Sequence, residues 1–299
     1  MDTRLVLNMD MGNAAPVSVR AIQDGDLPAV GRFLHANLNS RVTAQTWASA
    51  PLVPWRAPAP NFGFLLECDN EVVGVYLAFY SNRNINGRNE AFCNLGAWCV
   101  RDEYRMHSIR MIKALLAQKD YTLTDLSPSG AVIPLNEKLK FQHLNTATVL
   151  IPTLPWPTLP HHAAVTTDPA QIERSLTGAE LQLYRDHIHA AAARHVLLTR
   201  GRETCYVIYR RDRRKNLPIF ASVLYVSNPD LFAASIPQLS RHLLLRHGIL
   251  AILAELRIIV HRPRLSKLLS APRQKMFRSS RLRADQIDYL YSELVCVPW

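Results

Sequence analysis

The stretch from Val100 to Arg110, "VRDEYRMHSIR", is where residue types and spacing first suggest chemistry. An apolar strand ends near Val100, a short turn follows, and a helix begins near Ser108. The first turn of a helix carries unpaired N–H groups and the positive end of the helix dipole. Such a terminus is a site for an anion, and a pyrophosphate suits it. Arg110 can add a charge-assisted contact to a phosphate or fill the site. Ser108 is small and can act as an N-cap. The plainer alternative is an ordinary helix start with its basic residues facing solvent.

A second stretch, "AVIPLNEKLKF" (Ala131–Phe141), reads as the end of a helix running into a strand. Taken together, Asn61 to Phe141 resemble the core of the GNAT N-acyltransferase superfamily in element order: hairpin, strand, helix, strand, helix, strand. "EVVGVYLAF" is similar to the strand after the family's hairpin. "VRDEYRMHSIRMIKALL" is similar to its central strand and pyrophosphate helix, and "AVIPLNEKLKF" to its "alyeklGF" segment. The resemblance implies acyl-CoA, acetyl or longer, as co-substrate and no metal. It places the pyrophosphate on Val100, Arg105, Met106, His107, Ser108, Ile109 and Arg110. Arg105 matches the family's Arg/Gln-x-x-Gly-x-Gly/Ala loop, whereas Ser108 and Arg110 stand where small residues are usual. Glycine there permits positive φ and close approach of a ligand to the backbone.

The family often uses the tyrosine of "lYeklGF" to protonate the thiolate leaving group, and Asn136 holds that place here. An amide cannot be a general acid at neutral pH, although its N–H can hydrogen-bond a thiolate. Lys140 replaces the usual glycine before Phe141, a change in a helix cap rather than in the chemistry. The resemblance also implies a general base near the ends of the central strands. By position Glu67, Glu90, His107 and Asp125 qualify, and Asn136, Glu67 and Asp125 make the expected catalytic set.

These residues need a scaffold, and alternation and turn signals outline one. Strands are expected over "VSVRAI", "NFGFLLECD", "EVVGVYLAFY", "AFCNLGAWCV", "YTLTDL" and "TATVLIP", with Asp69-Asn70 as a hairpin turn. Helices are expected after Asp24 or Asp26, over Ser108–Asp120, and around Asn136. Repeated prolines in Ile151–His162, "IPTLPWPTLPHH", can continue neither a helix nor a central strand and mark a linker. Beyond it the outline repeats. A helical stretch runs from Pro169 to His195, followed by strands "ETCYVIYR" and "PIFASVLYV" around the basic turn Arg210–Lys215. The helix "PQLSRHLLLRH", the strand "ILAELRIIV" and a short helix or turn into a final strand complete it. The expected fold class is α/β, two GNAT-like mixed-sheet domains with flanking helices, the second a degenerate copy. The expected division is 1–150, a linker 151–163, and 164–299.

Composition bounds the rest. The chain has 299 residues, 48% of them hydrophobic and 20% charged, which suits a globular protein of two domains. Its formal charge of +11 favours acidic partners but does not choose among them. The basic tail Arg262–Arg283 can bind a phosphorylated or acidic acceptor, or be a solvated, mobile face. Aromatic residues make up 8% with no basic interleaving, which disfavours nucleic acid as a partner. Five cysteines at no metal-type spacing read as buried thiols of a cytoplasmic protein. No run is long and apolar enough to span a bilayer, and the first residues do not form a secretory signal. Phosphate-loop, nucleophile-elbow and His-Glu-x-x-His motifs are absent from the sequence, and His161-His162 reads as a surface pair. The leading expectation is an acyl-CoA-dependent N-acyltransferase acting on a small-molecule or carbohydrate-like amine. The alternative is a catalytically lapsed GNAT-like module that binds or regulates an acidic partner.

Overall fold

A computed structural model describes residues 16–55, 57–157, 162–214 and 217–299. His161, Lys215 and part of the expected linker lie outside the described residues. The first half runs β1 (Ser18–Ala21), α1 (Leu27–Asn37), α2 (Ala44–Ser49), β2 (Gly63–Cys68), β3 (Glu71–Ile85) and β4 (Arg88–Val100). It continues through α3 (Ser108–Ala117), β5 (Thr122–Asp125), α4 (Ile133–Lys138), β6 (Gln142–His143) and β7 (Thr148–Pro152). The second half runs β8 (Ala164–Thr166), α5 (Pro169–Ser175), α6 (Gly178–His187), β9 (Arg194–Arg200), β10 (Glu203–Arg214) and β11 (Leu217–Val226). Then come α7 (Pro229–Ala234), α8 (Ile236–His247), β12 (Ala251–Glu255), α9 (Leu256–Ile259), β13 (Lys267–Leu268), β14 (Met276–Arg278) and α10 (Glu293–Cys296).

These strands form two seven-stranded mixed sheets, ordered β1-β2-β3-β4-β5-β14-β6 and β8-β9-β10-β11-β12-β7-β13. The orders are the same except that the halves exchange one strand. β7 leaves the first half to pair with β12, and β14 returns from the second half to pair with β5. The strands of each sheet are therefore not drawn from one side of the proline-rich segment. In each sheet one pair is parallel, β4 with β5 and β11 with β12, and a helix makes the crossover.

Local chemistry explains most of the elements. Asp69 and Asn70 both take positive φ, 50° and 60°, in the two-residue turn joining β2 to β3. Thr43, Asp168 and Asn228 cap α2, α5 and α7 by accepting from main-chain N–H groups. Along β3, Val75, Leu77 and Phe79 point into one core while Tyr76, Ala78 and Tyr80 point into another. The first of these cores also takes Leu197, Tyr206, Ile208 and Leu224 from the second half and Leu290, Leu294, Val295 and Val297 near the end of the chain. One core thus spans both sheets.

Several elements depart from the expectations. The helix expected to reach His195 stops at His187, because the main chain there turns to meet the last segment: Ala192 N–H donates to the Val295 carbonyl at 2.9 Å. "ILAELRIIV" is a strand only as far as Glu255 and then a helical turn. The expected final strand is the turn α10, whose start is capped by Ser292. The basic tail is not simply a solvated loop. It contains β13 and β14, and Lys275 within it is buried with its ammonium 2.6 Å from Glu255.

The exchange makes each sheet depend on the other half. Calorimetry of the intact chain should show one transition whose calorimetric and van't Hoff enthalpies agree. Two separate transitions would contradict the shared core and the exchanged strands.

Candidate active site

β4 and β5 run side by side only as far as the pair Leu95 and Asp125, where β5 ends. β4 continues to Val100 through a bulge at which Ala97 takes a φ of 54°. A bulge leaves one residue out of the ladder, so its backbone groups are open to other partners. The two strands thus part, and a cavity of about 610 Å³ opens there. Its wall includes Gly96, Ala97 and Trp98 from β4, Tyr76 from β3, Asp125, and Ser127–Ser129 from the loop before α4. Residues Leu38, Asn39 and Arg41 after α1 line it too, as do Asp212, Arg213, Arg273, Gln274 and Trp299.

Asp125 is buried beside this cavity and accepts a 2.8 Å hydrogen bond from the Asn136 side-chain amide. Burial pushes its pKa up to about 6, opposed by the hydrogen bonds from Asn136 and the Ser127 main chain. On the other face of the sheet lies Glu293, which is wholly buried. Its N–H donates to Asn94 Oδ1 at 2.8 Å, and its Oε1 accepts from Ser127 Oγ at 2.9 Å. Burial first, and the charge of Asp125 second, push the Glu293 carboxyl up to about 7. Near neutrality Asp125 is mostly ionised and Glu293 is close to half-protonated. Asn94 also donates to Thr124 Oγ1, so one amide ties β4, β5 and the last segment together.

Gly96 is small because Glu293 lies on it: a Cβ built there falls 3.0 Å from Glu293 Cβ. Tyr76 stacks on Trp98 with ring centroids 4.7 Å apart. Burial, and then the charge of Asp125, hold its phenol well above the usual range, so it stays neutral and able to donate. Tyr76 Oη, Asn136 Oδ1 and Glu293 Oε2 are buried with no hydrogen-bond partner among the described residues. Of these residues Tyr76 lines the cavity, while Asn136 and Glu293 stand behind it, bonded to its lining residues Asp125 and Ser127.

Of the expected site residues, the fold brings Asp125 and Asn136 together. The Asn136 N–H that was expected near a leaving sulfur is engaged by Asp125. Glu67 sits on the edge side of the sheet and pairs with Arg20 at 2.6 Å. Glu90 lies at the far end of β4 and pairs with Arg281 at 3.2 Å. Arg105, Met106, His107, Ser108, Ile109 and Arg110 are together, but not as an open loop. Asp102–His107 form a 3-10 helix that runs straight into α3, and the Ser108 N–H donates to the Arg105 carbonyl. Arg105 pairs with Asp102 at 2.7 Å, Arg110 donates to the Val17 carbonyl, and Met106 is exposed. Val100 and Ile109 pack partly against the core beneath α3. Tyr76, Asn94, Ser127 and Glu293 were not anticipated.

The matching cleft of the second sheet is nearly filled. Its cavity is about 70 Å³, and charged side chains close it in pairs: Arg273 with Asp212 and Lys275 with Glu255. Arg210, also buried there, donates to the main-chain oxygens of Leu294, Val297 and Trp299. No group of residues suited to a metal ion occurs among the described residues. No helix among them is long and apolar enough to cross a membrane.

No family model and no curated protein matches the chain. Solved structures do. A GCN5-related N-acetyltransferase from Anabaena variabilis ATCC 29413 is similar over 88% of this chain and 72% of its own, with 10% identity and a TM-score of 0.58. A probable N-acyltransferase from Enterococcus faecalis V583 covers the same shares with 13% identity and a TM-score of 0.56. A putative acetyltransferase from Pyrococcus horikoshii is similar over 90% of this chain and 92% of its own, with 13% identity and a TM-score of 0.54. The fold is that of the GCN5-related N-acetyltransferases, built in tandem.

Both buried carboxyls sit above their unfolded-state pKa values. Between about pH 4.5 and 7 the folded state binds more protons than the unfolded chain, so this contribution to stability is lost as pH rises through that window. Glu293→Gln keeps the hydrogen bond from Ser127 and removes the titration. Relative to the parent it should gain stability between pH 5 and pH 8, on the order of 2–3 kcal/mol. Denaturant unfolding at the two pH values checks this; an equal difference at both contradicts it.

Proposed function

We propose that the protein is an acyl-CoA-dependent N-acyltransferase whose reaction takes place in the cavity between β4 and β5. The observation that carries this reading is a buried carboxylate, Asp125, with a raised pKa, beside a cavity where two parallel strands part. A base poised near the working pH both holds the correct ionisation state and accepts a proton readily. The amine nitrogen attacks the thioester carbonyl, and Asp125 takes the proton that the nitrogen loses. The open backbone groups of the β4 bulge suit a carbonyl oxygen that gains negative charge. The C–S bond then breaks, and the neutral phenol of Tyr76 is the group placed to donate to the departing sulfur. Asn136 holds Asp125 in place and supplies no proton. Glu293 is a positioning residue: it accepts from the Ser127 hydroxyl, and the Ser127 main chain hydrogen-bonds Asp125.

Acetyl-CoA or a longer acyl-CoA is the proposed donor, with its phosphates near Arg105–Arg110. The acceptor is a small-molecule amine. Five buried cysteines, none of them in a disulfide, support a cytoplasmic setting. One observation favours the lapsed-module reading instead: the amides around Arg105–Ser108 are engaged in helical pairing, and Asp102 and Glu103 stand at the start of that helix.

Release of CoA from acetyl-CoA and a longer acyl-CoA, with a panel of amines, tests the proposal. kcat/KM should rise with pH through about 6 and then level. Asp125→Asn keeps the volume and should lower turnover about 10²–10⁴-fold with acyl-CoA affinity unchanged. A folded parent that binds acyl-CoA but acylates no amine would make the protein a lapsed module.

A further inference from the structure

A further cavity, of about 380 Å³, lies between α8 and β8, the edge strand of the second sheet. Its α8 wall is Gln238, Arg241, His242, Leu245 and Arg246. At about 100° per residue these five fall on one face of the helix, with Arg241 and Arg246 on its two flanks and Leu245 between them. Leu239 and Leu243 turn instead into the core. The corner has a counterpart in the first half. There the third residue of α3, Arg110, ties the helix to the edge by donating to the Val17 carbonyl just before β1, and its charge is engaged. In the second half the third residue of α8 makes the tie: Gln238, which is buried, donates to His162 Nδ1 at 2.8 Å. A side-chain amide carries two N–H donors, so one remains for a ligand. The arginines of the next turns are not needed for the tie. Arg241 and Arg246 are exposed and have no hydrogen-bond or ion-pair partner among the described residues, and the described wall contains no acid. Burial first, and then the charges of His247 and Arg246, hold the His242 pKa below its ordinary value. His242 is therefore mostly neutral near pH 7, and the charge of the wall is that of two guanidiniums. One exposed arginine is an ordinary solvated side chain. Two on opposite flanks of a concave wall, with no acid and a buried amide donor, suit an anion.

We propose that this cavity binds a small phosphate monoester, with Arg241 and Arg246 on the phosphate, the second Gln238 N–H donating to it, and Leu245 and Val165 against the organic part. Guanidinium forks match phosphate oxygens, and an ester close to dianionic at pH 7 balances two fixed positive charges where a carboxylate balances one. The volume equals that of about a dozen waters at about 30 Å³ each, more than a bare phosphate fills. The cavity shares no wall residue with the one at Asp125, so the proposal stands apart from the acyltransferase reading.

Calorimetry of the full chain with glycerol phosphate, glucose phosphate and adenosine monophosphate tests this, against glycerol, glucose, adenosine and inorganic phosphate. At least one ester should bind, and its parent alcohol and inorganic phosphate should each bind about tenfold or more weakly, the factor that one charge-assisted contact supplies. Arg241→Gln combined with Arg246→Gln should weaken the ester about tenfold or more. Both side chains are exposed and unpaired, so the variant should keep the melting temperature of the parent. The parent gives a second readout that needs no variant: the ring signals of His242 should move on adding the ester, because an anion beside Arg246 offsets the charge that now lowers its pKa. Affinity for inorganic phosphate equal to that for every ester overturns the proposal, as does ester binding that is unchanged in the double variant or leaves His242 unmoved. Loss of acyl-CoA affinity in the double variant also overturns it, because the arginines then serve the phosphates of that molecule. Sedimentation with vesicles containing phosphatidic acid, without binding of any soluble ester, overturns it in favour of a membrane headgroup. Binding of none of these probes overturns it outright.

Discussion

The separation of β4 from β5 beyond Leu95 and Asp125 is the constraint on which the rest of the structure depends. Two parallel strands that stay paired leave no room for a ligand and no reason to bury a carboxylate. Here β5 stops, β4 bulges at Ala97, and the resulting gap is flanked by Asp125 on one face and Glu293 on the other. Burial makes both harder to ionise, and the charge of Asp125 makes Glu293 harder still. A protein pays in stability for such a pair, and the compensation must come from packing elsewhere.

That packing is shared between the halves. The segment that delivers Glu293 starts in the second half and ends in the core of the first, where Leu294, Val295 and Val297 join Leu77 and Phe79. Arg210 reaches from β10 to hold three main-chain oxygens of this segment. The exchanged strands β7 and β14 act in the same direction, since β14 covers β5 on the side away from β4. The second cleft has a different fate. Its charges, Asp212 with Arg273 and Glu255 with Lys275, satisfy one another and fill the space. Its remaining contribution is to the mouth of the first cavity, through Asp212, Arg213 and Arg273. The tandem fold thus has one open cleft and one closed one, and the closed half shapes the open one.

Much of this was legible because it rests on local signals. The Asp69-Asn70 turn, the strand ending at Val100, the helix from Ser108 and the helix carrying Asn136 each follow from residues close in sequence. Asp125 was legible as a candidate base for the same reason. What was not legible depends on contacts across the chain. Glu293 meets Asn94 nearly two hundred residues away, and the only local hint is an acid at the head of the apolar run "ELVCV". Tyr76 sits in a strand whose alternation says it is buried but not that its hydroxyl lies at a cavity. β14 lies in a basic tail that resembles a solvated loop, because the apolar Met276 and Phe277 are too few to read as a strand without β5 beside them. The helical state of Asp102–His107 also escaped the resemblance, which carries a loop pattern with it and not the backbone geometry.

The claim at the centre is that Asp125 and Glu293 form one buried pair that binds protons well above the ordinary carboxylate range. A carbon-detected NMR titration of side-chain carboxyls, assigned with Asp125→Asn and Glu293→Gln, measures it directly. The account predicts two resonances with midpoints at about 6 and about 7, and a lower midpoint for Glu293 when Asp125 is neutralised. Two carboxyls that titrate independently near 4 would contradict it.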